Sequence, residues 1–234
     1  MSYESFQKAL AIDWFEKHAY PHELKHARAA FDGDTDAAFR LGCTLENHKR
    51  GAVAVAMWRC KVPVEAFRVY LGMTWGHDHR YVIEAAKTRR TLAYMFRYAA
   101  FPLPAEMPDV VTVWRGSSAM RFDATRVRYS WTTDRDLACW FAMRFADLHG
   151  SPLVLTADVA KRDIALFTNE RSESEAVLIR PPAARIDGDA GDWTRCCQRK
   201  QDAMNIDRKA MLNSASTVTA KNSFPPAGPT SLPG

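Results

Sequence analysis

The sequence predicts an α+β protein in which an N-terminal helical region is followed by a compact mixed β core. Up to about Pro104, apolar residues recur at helical spacing and β-branched runs are few. The stretch from Phe101 to Pro108 then concentrates proline, which breaks helices. Beyond it, short runs rich in Val, Ile and Thr follow one another at close intervals, as strands do. The 234 residues, 47% hydrophobic and 25% charged, suffice for one large domain or two small ones.

Taken in order, Tyr3 to His18 sets Phe6, Ala9, Leu10, Trp14 and Phe15 on one helical face, and Pro21 suits the first turn of a second helix. Val53 to Cys60 and Val64 to Trp75 read as buried helices, the second opened by Pro63. A longer helix is expected from about His79 to Ala99, with Leu92, Met95, Phe96 and Ala99 on its apolar side. Residues 1–105 are therefore expected to form the helical region. Val110 to Trp114, running into Arg115-Gly116, and Arg128 to Thr132 are strand candidates. Asp134 is expected to cap a helix through about Asp147, closed by Gly150. Leu153 to Val159, Ile164 to Phe167 and Ala176 to Ile179 complete a core over residues 106–185. Residues 186–213 are expected as a C-terminal extension with a helix near Arg199 to Asn213. Residues 214–234, rich in Ser, Thr, Pro and Gly, are expected as a disordered tail.

Composition narrows the function classes. No apolar run approaches the roughly 18 residues of a bilayer span, and the first residues open no signal segment, so a cytoplasmic protein without membrane contact is expected. Five cysteines without a C-x-x-C pair, two of them adjacent at Cys196 and Cys197, fit a reducing compartment. A net charge of +5 and a pI near 9.0 give a modest bias toward anionic partners. The glycines match neither the G-x-G-x-x-G nor the Walker phosphate cradle, and no G-x-S-x-G elbow is present. A nucleotide bound here must be held by side chains and strand ends.

The most informative constellation lies in the strand-rich half. Arginine follows a hydrophobic strand in Val113-Trp114-Arg115-Gly116. Hydroxyls end the next, in Ser130-Trp131-Thr132, and Glu173-Ser174-Glu175 enters a third. Singly, each fragment is an ordinary strand end. Their order, each at the edge of a strand, is what informs.

This pattern resembles the R-S-E class of ADP-ribosyltransferases, the group of the clostridial-type toxins and the arginine-specific eukaryotic enzymes. Ala138-Cys139-Trp140-Phe141-Ala142 is similar to that family's helix under the nicotinamide pocket. The resemblance covers roughly residues 108 to 182. The family's commoner hydroxyl motif has Thr at its centre and Ser at its end, where this chain has Trp131 and Thr132. The resemblance implies a core of the ADP-ribosyltransferase type and NAD as co-substrate. It further implies mono-ADP-ribosyl transfer to a macromolecular acceptor, a protein side chain or a base in RNA or DNA. A bacterial or phage toxin or effector role is an expectation from the resemblance as well, and it leaves open whether an antitoxin masks the cleft.

The residue types fit that chemistry independently. Breaking the bond between nicotinamide and ribose develops positive charge on the sugar, as in glycoside cleavage, and a fixed carboxylate stabilises it. Glu175, directly before an aliphatic strand, is the candidate. Ser130 would hold that carboxylate, with Thr132 assisting. Arg115 offers a planar fork of donors to a diphosphate, and Gly116 lets the backbone approach the nicotinamide amide. Trp140 or Phe141 would pack on the ring, and Glu173 would position or deprotonate the acceptor. No metal is required, because the leaving nicotinamide already carries positive charge.

Two other classes compete. His22-Glu23-Leu24-Lys25-His26 is a literal H-E-x-x-H, the pattern of a zinc hydrolase, with Glu46 or His48 as third ligand. His77-Asp78-His79 offers ligand types as well, although Asp78 before a long helix reads first as its N-cap. A noncatalytic RNA- or protein-binding module is the other alternative. Its carrier would be the stripe Arg80, Lys87, Arg90 and Arg97, which otherwise reads as a solvated helix face.

Overall fold

The computed structural model describes residues 2–118, 121–169 and 172–221, the last helix beyond residue 206 by its backbone alone. Among the described residues six helices come first: α1 (Tyr3–His18), α2 (Pro21–Phe31), α3 (Thr35–Thr44), α4 (Asn47–Arg59), α5 (Val64–Ala86) and α6 (Arg89–Ala99). Local chemistry starts them. The Asp34 carboxylate accepts from the amide of Ala37 to cap α3, and the Thr88 hydroxyl accepts from Thr91 to cap α6. α3 carries too short an apolar stripe to stand out in the sequence.

The long helix expected over 79–99 is divided differently. α5 continues through residues 76–78 to Ala86, and Lys87, at φ 60°, ends it, a left-handed turn that no continuing helix tolerates. Two helical stretches thus meet at Asp78, close to the expected helix start, but its side chain does not serve as the cap. Asp78 sits at a kink inside α5 (φ −140°, ψ 35°), and its carboxylate pairs with Arg50 of α4, both side chains being largely buried.

The second half contributes β1 (Val110–Ser118), α7 (Phe122–Arg126), β2 (Ser130–Thr132), α8 (Arg135–Met143), α9 (Ala146–His149), β3 (Pro152–Ala160), β4 (Ile164–Thr168), β5 (Glu175–Leu178), β6 (Arg185–Ile186) and α10 (Ala190–Lys221). The strands form one sheet in the order β4-β5-β2-β1-β3-β6, with every neighbouring pair antiparallel, where a mixed core was expected. Short connections between strands favour antiparallel pairing, since a parallel pair needs a long crossover. Asp134 caps α8 by accepting from Leu137, as expected. That helix stops at Met143, and α9 supplies the remainder up to Gly150. α10 runs past Asn213 to Lys221, into the stretch expected as tail. Residues 222–234 of that stretch lie outside the described residues.

The two faces of the sheet bury different partners. On one, Val113, Trp131, Leu155, Ala176 and Leu178 form a cluster of their own. On the other, Leu166, Val177 and Ile179 join the core of the helical region, where Phe67, Tyr70, Trp75 and Met95 are fully buried. Each such side chain contributes about 1.5–3 kcal/mol by leaving water. α8 lies on that same face further along and is clamped by α10. Lys200 Nζ reaches Asp134 Oδ2 at 2.6 Å, and Arg199 Nε reaches Asp136 Oδ2 at 2.9 Å. All five cysteines carry free thiols. Among the described residues no helix is long and apolar enough to cross a membrane.

Candidate active site

Antiparallel registers place one row of residues straight across the sheet. Thr156 faces Trp114, Trp114 faces Thr132, Thr132 faces Glu175, and Glu175 faces Thr168. Alternation along a strand then puts Ser130, Thr132 and Glu175 on the face that carries Val177, the face the helices cover. β1 and β2 register at Trp114 and Thr132. Toward Gly116 and Ser130 the ladder gives way to a side chain, and the Arg115 guanidinium Nη1 donates to the Ser130 carbonyl.

A cavity of 220 Å³ opens there. Arg115, Ser130, Thr132, Phe141, Glu173 and Glu175 all line it, together with Trp114 and Gly116. Residues more than fifty positions apart in sequence thus share one hollow. Comparison with family models, with curated proteins and with solved structures finds no match to this chain.

The electrostatics of the hollow are uneven. Withdrawal from water, reinforced by nearby Arg128 and opposed by Glu175, pulls the Arg115 guanidinium down to about 10. It stays cationic at neutral pH. Two buried donors of the wall, Arg115 Nε and Trp114 Nε1, have no hydrogen-bond partner among the described residues. Buried unsatisfied donors are costly, on the order of 1–3 kcal/mol each, and a cavity that carries them is prepared for an acceptor-rich or anionic ligand.

Glu175 is only 9% exposed, and one of its oxygens, Oε1, accepts from the indole Nε1 of Trp75 at 3.4 Å. The sequence pointed to Ser130 for that task; Ser130 engages the site through its carbonyl, which accepts from Arg115 Nη1, and lines the wall. Thr132 has a distinct part. Its hydroxyl donates to the Glu173 carbonyl at 2.6 Å and accepts from the Asp134 amide at 3.0 Å, tying the segment before β5 to the start of α8. Ser172 and Ser174, at φ 56° and 44°, flank Glu173 in the left-handed region, and Asn169 Oδ1 accepts from both the amide and the hydroxyl of Ser174. Such backbone costs about 1–2 kcal/mol per residue, and here it aims Glu173 at the cavity.

The aromatic helix divides its residues. Phe141 lines the cavity, whereas Trp140 stands outside it and shares the Arg144 guanidinium with Phe141 and Phe145 at 4.5–5.2 Å from the ring centres. Gly116 has a packing reason to be glycine. A Cβ there would sit 1.7 Å from the Ala138 carbonyl oxygen, so its absence lets α8 lie directly on β1 and brings Phe141 to the cavity.

The helical region also enters the site, which sequence reasoning missed. Trp75 donates to Glu175 from α5, and His79, one turn on, lines the cavity and packs against Trp75 at 5.5 Å. The signal available was the spacing of Trp75 and His79 on one helical face. Nothing local connected them to a residue a hundred positions away.

The H-E-x-x-H segment is built differently from a metal site. Glu23 is buried, and its Oε2 accepts from the Tyr20 amide at 2.9 Å as part of a capping box that starts α2. His48 lies 3.5 Å from Glu46 on α4's exposed start. Among the described residues no three His, Cys, Asp or Glu side chains gather as metal ligands.

Proposed function

We propose that the chain is an NAD-dependent mono-ADP-ribosyltransferase that moves ADP-ribose from NAD to a macromolecular acceptor with release of nicotinamide. The observation that carries this reading is the convergence of Arg115, Ser130, Glu173 and Glu175 on one 220 Å³ hollow with Phe141 on its wall. The antiparallel sheet, with its opening between β1 and β2, is the core on which that activity would rest. The residues fit the co-substrate. Arg115 Nε and Trp114 Nε1 supply unpaired donors for a pyrophosphate and ribose, Phe141 an aromatic wall for nicotinamide, and Glu175 a sheltered carboxylate.

In this reading Arg115 grips the pyrophosphate as a fork and fixes the ribose beside Glu175. The bond between the nicotinamide nitrogen and the ribose carbon breaks, and its electron pair leaves with nicotinamide, which becomes neutral. Glu175 stabilises the positive charge that develops on the sugar. The acceptor's lone pair closes on the ribose carbon from the open side, and Glu173 receives the proton that the acceptor sheds. Where no acceptor is present, water takes its place slowly.

The test incubates the purified protein and a Glu175→Gln variant with labelled NAD and whole-cell extract, then divides the product between protease and nuclease. Label transfer and nicotinamide release by the unaltered protein but not by the variant are expected. Absence of both from the unaltered protein overturns the reading.

A further inference from the structure

Apart from the cleft, one surface combines concavity with uncompensated charge. Two neighbouring hollows of 370 and 330 Å³ share Ala93, Arg97, Ile179 and Arg180, so they form one groove between α6 and the far end of β5. Arg90 lines one end and Arg162 the other. All four arginines are exposed, and among the described residues none is held in an ion pair. Asp163 is the acidic side chain on the wall.

The groove holds its charges ready. Arg90 and Arg97 lie over the two-sided ring of Tyr94 at 5.6 and 5.7 Å, and Arg90 Nε also donates to the Tyr94 hydroxyl at 3.2 Å. A guanidinium laid against an aromatic face loses rotamer freedom yet keeps in-plane N–H groups for phosphate oxygens. Of the rest of the basic stripe read from the sequence, Arg80 pairs with Glu84 at 2.8 Å, and Lys87 lines neither hollow.

We infer that this groove binds the phosphodiester backbone of single-stranded nucleic acid, with Arg90, Arg97, Arg162 and Arg180 on successive phosphates. Concavity favours a flexible single strand over a rigid duplex, and a row of arginines over one lone pocket favours a polymer over a free nucleotide. The groove and the cleft are distinct hollows that share no lining residue, joined through β5 and the residues that follow it. Arg180 lies five positions beyond Glu175, at most about 18 Å along the chain. As a statement about binding the inference stands on the groove alone. As a statement that the bound strand is the acceptor it rests on the transferase reading above.

The experiment measures fluorescence anisotropy of labelled 15-mer RNA and DNA, single-stranded and duplex, across a salt series. The proteins are the full chain, an Arg97→Gln/Arg180→Gln variant and Glu175→Gln. Single strands are expected to bind the full chain and Glu175→Gln alike, with weaker binding of duplex. The double variant should bind at least tenfold more weakly, with its log K against log salt slope shallower by about 1.4, about 0.7 for each lost phosphate contact. Nicotinamide release into water should be unchanged in the double variant. Equal binding by full chain and double variant, absence of single-strand binding at low salt, or displacement only by an acidic protein overturns the inference. Nicotinamide release failing in the full chain while strand binding persists removes the transferase reading and leaves the groove intact.

Discussion

The indole of Trp75 donates to the Glu175 carboxylate across a hundred positions of sequence, in a contact both side chains bury. A carboxylate in such a place needs its lone pairs engaged and its rotamer fixed, and a helix packed into the core supplies a rigid donor. T-shaped contacts with Phe96 at 4.9 Å and Tyr129 at 6.1 Å hold the Trp75 ring in turn.

Trp75→Phe keeps the ring and removes the N–H. A hydrogen bond to a charged group is worth about 1.5–3 kcal/mol, so kcat for nicotinamide release should fall roughly tenfold to a hundredfold. KM for NAD should stay within about twofold, because the indole positions the carboxylate and does not touch the co-substrate. A rise in KM with kcat preserved would place Trp75 among the binding groups instead.

The two glutamates should separate by assay. On the transferase reading, Glu175→Gln removes the charge that faces the sugar and should lower nicotinamide release by about a hundredfold or more. Glu173→Gln should leave release into water nearly intact while label transfer drops by about a hundredfold, the loss typical of a missing general base. Equal losses in both assays for both variants would assign the pair one shared role.

Arg115 sets a pH dependence. Its guanidinium loses its proton near pH 10 rather than in the usual far more alkaline range, chiefly because the fold withdraws it from water. If the protonated fork holds the pyrophosphate, affinity for NAD is constant below that value and weakens about tenfold per pH unit above it. Calorimetric titration between pH 8 and about 11 reads this directly. Arg115→Met should bind weakly at every pH, with no inflection near 10, and Arg115→Lys should not restore the fork.

Gly116→Ala tests how closely α8 lies on β1. The added methyl would meet the Ala138 carbonyl, a backbone atom that cannot step aside. Overpacking of this kind costs about 1–3 kcal/mol and sometimes more, which lowers Tm by several degrees in a thermal melt. An unchanged melting curve would mean that helix and strand separate freely.

The residues that lay open to sequence reasoning were those beside an apolar run of strand period. Ser130 and Glu175 open their short strands, whereas Arg115, expected to end its strand, lies inside β1, because pairing with β3 carries that strand on to Ser118. Arg115, Ser130, Glu173 and Glu175 each adjoin an apolar run of strand period, and the structure gathers them in one cavity. Phe141 was visible through the spacing of its helix. Trp75 and His79 were not, because their partner lies on the sheet, and an aromatic on an apolar helix face carries no mark of what it will touch. The sequence reading opened a new helix at about His79, and α5 does break at Asp78, whose backbone is non-helical. The Arg50–Asp78 pair, a contact between α4 and α5, sits at that kink. β6 escaped because two residues leave no alternation to see, and the antiparallel order escaped because pairing partners are set by tertiary packing.

Leu166, Val177 and Ile179 lean on the first hundred residues for cover. A fragment starting at residue 106 would expose that apolar patch to water and strip Glu175 of its donor at a stroke. Such a truncation should aggregate or stay unfolded, so any shortened version of this protein has to keep its helices.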